Sequence, residues 1–202
     1  MICKEAGKLI SWCDSRMKRI FDIVLVTMFF IVFFFPMLII ALLVKITSKG
    51  PVLYWSDRVG KYNTIFKMPK FRTMMSDTPA MATHLMKNPE QYYTPVGSFL
   101  RKSSLDELPQ LYSVLKGDMS FVGPRPALFN QDDLIELRTK KGIHNLIPGI
   151  TGWAQINGRD DLPIPEKVDL DEYYLNNHSF MFDLKTLSMT LLNVIKSQGV
   201  QH

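Results

Sequence analysis

The sequence predicts an α+β protein, mostly helical, in which a membrane-embedded helical segment precedes a small globular domain. Three observations predict this arrangement. An apolar run covers residues 23–44, two short strand-like segments follow it, and helical periodicity dominates the rest of the chain. At 202 residues the chain has room for one domain with a substantial core.

The apolar run is long enough to cross a bilayer. As a helix, residues 23–44 rise about 33 Å, and a hydrocarbon core is about 30 Å thick. Pro36 lies past the middle and removes a helix hydrogen bond, which predicts a bend or break. Basic residues, which favour the cytoplasmic side, flank the run at both ends. They are Lys18, Arg19, Lys45 and Lys49. A simple span and a re-entrant helix-break-helix both fit these features.

Asp22 stands at the entry of the run. It follows Arg19 by three residues and Lys18 by four, a spacing that permits an ion pair on one helix face. The alternative is that Asp22 only marks the start of the membrane interface. The predicted division is a basic segment over residues 1–19, a membrane hairpin over 20–46 and a globular domain over 47–202.

The globular domain is predicted to begin with a β-hairpin and to continue as helices. Strands at 52–56 and 64–68 flank a turn at 60–63. The predicted helices cover residues 80–87, 96–102, 105–115, 127–140, 166–176 and 182–197. Residues 147–159 are predicted to be turn-rich. The last helix has an apolar face, which either packs on the core or lies flat on lipid as an amphipathic interfacial helix.

Composition favours an anionic small molecule or lipid headgroup as partner. The net charge is +5, but the basic residues are spread among apolar and proline-rich turns, so nucleic acid is disfavoured. The only two cysteines, Cys3 and Cys13, form no metal-binding or disulfide pattern, which is typical of a reducing, cytosolic setting.

Asp106 and Glu107 are adjacent carboxylates at a predicted helix start. Ser104 and Glu107 match a capping box, although Pro109 would then strain the helix beyond its first turn. The positive end of a helix also favours an ionised Asp106, which is suited to act as a nucleophile or metal ligand. Structural capping and catalysis both remain open on this pattern.

Arg125 stands between two prolines, on a stiff turn. A guanidinium binds phosphate oxygens through two parallel hydrogen bonds, so this turn is a candidate phosphate site. A solvated surface arginine is the alternative. The further phosphate-binding candidates are Lys70, Arg72, Arg101 and Arg159.

Five motifs in order resemble the bacterial sugar transferase family, the small monotopic phosphoglycosyl transferases. They are K-R-I-F-D at 18–22, K-F-R-T-M at 70–74, S-L-D-E-L-P-Q-L at 104–111, K-G-D-M-S-F-V-G-P-R-P at 116–126 and P-G-I-T-G-W-A-Q-I-N-G-R at 148–159. The resemblance covers nearly the whole chain. One departure is Phe35 before Pro36, where the family often has serine.

The resemblance implies a reaction. Asp106 would attack the sugar-bearing phosphate of a UDP-sugar, release UMP and hold the phosphosugar covalently. Polyprenyl phosphate would then accept the phosphosugar. Glu107 would act as base or Mg²⁺ ligand, with Mg²⁺ held by Asp106 and Glu107.

The resemblance also implies a location. A re-entrant hairpin, with Lys18, Arg19, Asp22 and Pro36 as its marker residues, would hold the chain monotopically at the cytoplasmic face of the bacterial inner membrane. A homo-oligomer is compatible with this interpretation. The alternative functions are a membrane-anchored adaptor without chemistry and a membrane glycosyltransferase that releases UDP.

Overall fold

A computed structural model describes residues 2–75, 78, 89–158 and 162–195. Its helices are α1 (Ile2–Thr47), α2 (Gly97–Lys102), α3 (Leu111–Lys116), α4 (Asp132–Lys140), α5 (Trp153–Ile156), α6 (Ile164–Asn177) and α7 (Phe180–Ile195). Its strands are β1 (Leu53–Val59), β2 (Ile65–Phe71), β3 (Ser120–Val122) and β4 (Gly149–Thr151). Single 3₁₀ turns lie at Lys61–Asn63, Pro89–Tyr92 and Ile143–Asn145, and a longer 3₁₀-helix covers Leu105–Gln110. The prediction of a mostly helical chain with a small sheet-containing domain is confirmed.

Strands β1 and β2 form the predicted hairpin. They pair antiparallel from Leu53 opposite Phe71 to Val59 opposite Ile65, and each strand ends three residues later than predicted. Alternate residues of a strand share a face. Lys70 therefore lies on the same face as the buried Met68.

Strands β3 and β4 pair in parallel, with Ser120 opposite Gly149. The segment 147–159, which is predicted to be turn-rich, also contains the short elements β4 and α5. Glycine makes the pairing possible. A Cβ added to Gly149 would lie against the backbone nitrogen and oxygen of Gly123, and one added to Gly152 would also meet the Gly123 oxygen.

Gly149→Ala is expected to lower the free energy of unfolding by about 3 kcal/mol. The added methyl group meets backbone atoms of Gly123, which cannot rotate away as a side chain could. Thermal unfolding in detergent measures the effect, with Gly60→Ala as a milder control because its Cβ meets the Phe66 ring at 3.1 Å. Equal losses in the two variants would contradict this account.

Helix α1 continues without interruption through Pro36. Pro36 therefore does not end the helix, and of the predicted bend or break only a bend is compatible with a continuous helix. One missing hydrogen bond bends an apolar helix without ending it when the turns on either side stay intact. Within the described ranges, the Arg16–Thr47 part of α1 is the one stretch long and apolar enough to cross a membrane, and 11 % of its most apolar window is buried. Its apolar surface is thus mostly turned outward.

The domain packs against α1 at two separate places. Near its middle, Val26 joins a core that contains Phe66 and Val114. Near its end, Ile40 and Val44 join a second cluster. Their buried partners there are Phe71 and Leu100. A third cluster, behind the first, is formed by Ala127, Leu134, Ile143 and Val168. The helix therefore supplies part of the domain's own core.

Lys18 ties the start of the apolar part of α1 to the far side of the domain. Its Nζ donates to the carbonyl oxygen of Val122 over 2.8 Å, to Tyr174 Oη over 3.0 Å and to Asp183 Oδ2 over 2.5 Å. The ion pair of Lys18 is thus with Asp183 of α7, and the predicted pairing with Asp22 is not observed among the described side chains.

Arg19 and Asp22 extend this attachment. The guanidinium of Arg19 donates to the carbonyl oxygens of Val114 and Leu115 over 2.6 and 2.7 Å, and so caps the end of α3. Asp22 accepts a hydrogen bond of 3.1 Å from the backbone N–H of Phe121. The charged residues before the apolar run are therefore docking contacts to the domain.

The last helices agree with prediction more closely than the middle one. Helices α6 and α7 lie within two residues of their predicted limits, whereas α4 begins at Asp132, five residues late. The predicted helix at 80–87 lies outside the described residues. Helix α7 buries Asp183 and Thr186 and exposes Leu191. Part of its apolar surface therefore faces away from the core.

Candidate functional site

Asp106 lies in the 3₁₀-helix Leu105–Gln110, which packs against β2. The preceding Ser104 has a left-handed backbone with φ of 56°, and its side chain makes no capping hydrogen bond. The capping-box interpretation is therefore wrong. Pro109 has no N–H to donate, so the regular α-helix begins only at Leu111 and the predicted single helix is divided in two.

Glu107 brings two predicted phosphate-binding residues together. Its Oε1 accepts a hydrogen bond of 2.6 Å from Lys70 Nζ and one of 3.2 Å from Arg125 Nη2. All three side chains are partly exposed, between 17 % and 30 %. One carboxylate oxygen thus holds two cations side by side at the surface of the domain. Two adjacent cations are a ready site for the oxygens of a diphosphate.

The two carboxylates differ in pKa. Burial raises the pKa of Asp106 from 3.8 to about 6; Lys70 and Arg101 oppose this shift and the negative charge of Glu107 adds to it. Burial would also raise the pKa of Glu107, but Lys70 and Arg125 outweigh it and hold that pKa well below its ordinary value. Glu107 is therefore a permanent anion, and Asp106 is a more basic, buried carboxylate.

Asp106→Asn is expected to stabilise the fold at neutral pH. A carboxylate whose pKa is raised from 3.8 to about 6 on folding costs nothing below pH 4 and costs up to about 3 kcal/mol once the pH exceeds 6. The gain from Asp106→Asn should therefore grow between pH 4 and 6 and then level off. Thermal unfolding of both proteins across this range measures it, and a pH-independent difference would contradict the assignment.

Arg125 projects from a turn whose carbonyl groups are all fixed. Four consecutive carbonyl oxygens accept hydrogen bonds from three other parts of the chain, namely β4, α4 and the end of β1. The pairs are Pro124 with the Gly149 N–H at 3.0 Å, Arg125 with Arg138 Nη1 at 2.8 Å, Pro126 with Arg58 Nη1 at 3.2 Å and Ala127 with the Val59 N–H at 3.0 Å. The predicted stiffness of this turn thus has tertiary causes as well as its two prolines.

Arg101 lies close enough to Asp106 to lower its pKa. The Arg101 Nε donates to Thr73 Oγ1 over 2.9 Å, and the guanidinium lies 5.2 Å from the ring centre of Tyr93. The structure therefore brings Lys70, Arg101 and Arg125 around the carboxylate pair.

Arg72 has a different place. It is buried, and its guanidinium donates to the carbonyl oxygens of Ser48 and Lys49 and to Ser48 Oγ over 2.6–3.0 Å. These contacts lie just beyond α1, where helix carbonyls have no partner within the helix. Arg72 thus fastens the end of α1 to the domain. Arg159 lies outside the described residues.

The carboxylate pair suits a magnesium ion. Mg²⁺ is commonly bound through one or two carboxylates together with substrate phosphates. Both cations engage Oε1 of Glu107, which is compatible with a metal contact through its other oxygen, and Asp106 is adjacent. No cluster of three or more metal-ligating side chains occurs in the part of the chain that the structure describes.

Three residues that support the site were not predicted. Arg138 bonds the Arg125 carbonyl, Asp171 pairs with Arg138, and Arg58 bonds the Pro126 carbonyl. A signal for Arg138 exists, because it follows the buried Leu134 by four residues and so shares its helix face. A charged residue on a buried face must have a partner, but the sequence does not show which one.

Comparison with known proteins adds an independent finding. Residues 13–197 match a family described as bacterial sugar transferase. The chain is 40% identical over 187 residues to the uncharacterized sugar transferase EpsL of Bacillus subtilis (strain 168), covering 92% of this chain and 90% of that protein.

Two longer proteins are also similar. The UDP-glucose:undecaprenyl-phosphate glucose-1-phosphate transferase of Escherichia coli (strain K12) is 40% identical over 190 residues, covering 90% of this chain and 41% of its own length. The undecaprenyl-phosphate galactose phosphotransferase of Salmonella typhimurium (strain LT2) is 35% identical over 220 residues, covering 98% and 44%. The chain thus spans less than half the length of these two relatives.

Proposed function

Since the chain belongs to the bacterial sugar transferase family, we propose that it transfers a sugar 1-phosphate from a UDP-sugar to a polyprenyl phosphate. The observation that carries the proposal is the buried Asp106 beside a carboxylate that holds Lys70 and Arg125. The names of the Escherichia coli and Salmonella relatives support undecaprenyl phosphate as the acceptor.

In the first step, an Asp106 oxygen forms a bond to the sugar-bearing phosphorus, and the bond from that phosphorus to the bridging oxygen breaks. UMP leaves with the bridging oxygen. In the second step, a phosphate oxygen of the polyprenyl phosphate bonds to the same phosphorus, and the bond to Asp106 breaks. A carboxylate with a pKa of about 6 is mostly ionised at neutral pH and more nucleophilic than an exposed one.

Lys70 and Arg125 provide positive charge for the diphosphate, and Glu107 keeps them adjacent. In this role Glu107 is an anchor for two cations and remains ionised. When bound by Asp106 and Glu107, Mg²⁺ would supply further neutralisation of the phosphate charge. The residues around the site thus act mainly by positioning and charge.

The test is nucleotide release by the purified full chain in detergent with MgCl₂ and undecaprenyl phosphate. UDP-glucose, UDP-galactose and UDP-N-acetylgalactosamine are tried as donors, and each reaction is analysed for UMP and UDP. UMP together with a lipid diphosphate sugar is the expected product pair. UDP release would indicate a glycosyltransferase instead, and absence of any nucleotide release across a wider donor panel would favour the adaptor.

We also propose that α1 enters and leaves the membrane on the same, cytoplasmic face. The start of its apolar part is bonded to the domain through Lys18 and Arg19, and its end contacts the domain through Val44 and the adjoining Ser48. One domain that contacts both ends of the apolar segment supports a monotopic arrangement, because a straight spanning helix would place those ends on opposite sides of the bilayer. The return to one face would be made by a bend of the continuous helix at Pro36.

Tags placed before Met1 and after His202 are expected to lie on the same side of the inner membrane. Impermeant labelling of cysteines in the tags, in intact cells and in lysed cells, measures this. Both tags should react only after lysis. A tag before Met1 that reacts in intact cells, with the other protected, would establish a simple span.

A further inference from the structure

The ion pair of Arg138 and Asp171 lies in the interior, directly behind the turn that carries Arg125. Asp171 is 1 % exposed, and Arg138 Nε and Nη2 donate to its Oδ2 over 3.0 and 2.6 Å. The third nitrogen, Nη1, donates to the Arg125 carbonyl oxygen over 2.8 Å. Asp171 thus holds the planar guanidinium in place, and the remaining Nη1 donor is left to bond the backbone of the turn.

This contact bears on the direction of the Arg125 side chain. The prolines on either side restrict the backbone torsions of the turn, so that fixing the carbonyl of Arg125 leaves little freedom for its peptide plane. The Cα–Cβ bond follows that plane. Arg138 therefore acts on the same residue whose guanidinium contacts Glu107 at 3.2 Å.

Stability alone is a weak explanation for this pair. Burying two charges costs about as much as their attraction returns, so well-packed apolar residues commonly serve as well. Helices α4 and α6 are already joined by Lys141, whose Nζ bonds Asp169 and Glu172 over 2.6 and 2.7 Å. The ion pair of Arg138 and Asp171 is therefore better explained by a contribution to the geometry of the Arg125 turn than by stability.

We infer that Arg138 and Asp171 are positioning residues that aim Arg125 at the diphosphate of the sugar donor. The inference rests on the proposed function, because it takes the diphosphate as the ligand of Arg125. The two residues touch no substrate themselves and act through the Arg125 backbone.

UDP is the probe, because it carries the diphosphate without depending on which sugar is transferred. Its dissociation constant is measured with Mg²⁺ for the full chain in detergent and for Arg125→Ala, Arg138→Lys and the double variant. Arg138→Lys keeps a cation beside Asp171 but cannot also reach the carbonyl with a second planar edge. We expect Arg125→Ala to weaken binding about tenfold, and Arg138→Lys nearly as much.

The double variant decides between positioning and an independent effect. If Arg138 acts through Arg125, the double variant binds UDP no more weakly than Arg125→Ala alone. Multiplied losses in the double variant, or unchanged binding in a folded Arg138→Lys, would overturn the inference. Asp171→Asn is a second route to the same result, to be used if Arg138→Lys does not fold; wild-type affinity in Asp171→Asn would also overturn it.

Lys141→Ala is the matched control. It breaks the other ionic link between α4 and α6, so it should lower the melting temperature while leaving the UDP affinity unchanged. The two proposals fail separately. A wild-type chain that neither binds UDP nor releases UMP contradicts the proposed function, whereas wild-type binding that persists in Arg138→Lys contradicts only the positioning role.

Discussion

Asp106→Asn is expected to abolish UMP release and covalent labelling by a UDP-sugar that carries ³²P in its sugar-bearing phosphate. The amide has no anionic oxygen to form the bond to phosphorus. The neighbouring carboxylate, Glu107, cannot take its place, because it is engaged by Lys70 and Arg125. We expect a fall in rate of at least about a thousandfold.

The labelling experiment separates loss of chemistry from loss of structure. Asp106→Asn should unfold at a higher temperature than wild type at pH 7.5, for the reason given above, so inactivity cannot be ascribed to misfolding. Asp57→Asn is the control, because the Asp57 side chain is 44 % exposed and its ion pair with Lys67 on the hairpin is a contact of 3.9 Å. Wild-type labelling of Asp106→Asn would exclude Asp106 as the nucleophile.

Glu107→Gln is expected to lower the catalytic efficiency by about a hundredfold or more. The amide removes the counter-charge of Lys70 and Arg125, which then repel each other across a site where both must meet the diphosphate. Much of the loss should appear as a higher KM for the sugar donor. Initial rates of UMP release at varied donor concentration measure both parameters.

Glu136→Gln is the matched control for Glu107→Gln. It removes the same charge from an ion pair, with Lys140, whose side chains are more than 60 % exposed. Exposed pairs of this kind contribute little, so activity should be unchanged. A loss in Glu107→Gln no greater than in Glu136→Gln would show that the two cations do not depend on Glu107.

The centre of the site was predictable because each of its members carries a local signal. The adjacent acids at 106 and 107 and the proline-bracketed Arg125 were identified within their own segments, and the structure brings them together with Lys70. The partner that a long basic side chain will contact has no such local signal in the sequence. Arg72 and Arg125 both stand in proline- or strand-rich segments, yet the first binds carbonyls beyond α1.

The fold follows the same division. The hairpin and the last two helices follow from hydrophobic periodicity and turn residues, which act over a few positions. Strand β4 has three residues and exists only because Gly149 lies against Gly123, a contact between distant segments. The 3₁₀-helix that carries Asp106 depends on a left-handed Ser104, a backbone state that serine rarely adopts and that its sequence neighbours do not indicate.

The double attachment of α1 has a consequence for how this protein could be engineered or could have evolved. Val26, Ile40 and Val44 complete two of the domain's apolar cores, and Arg19 caps a helix of the domain. Helix α1 therefore cannot be exchanged or removed independently of the domain. A chimera that replaces it with an unrelated transmembrane helix would keep the protein on the membrane but leave both cores open. Removal of residues 1–47, intended to yield a soluble domain, would expose the same apolar surfaces and cause the domain to aggregate.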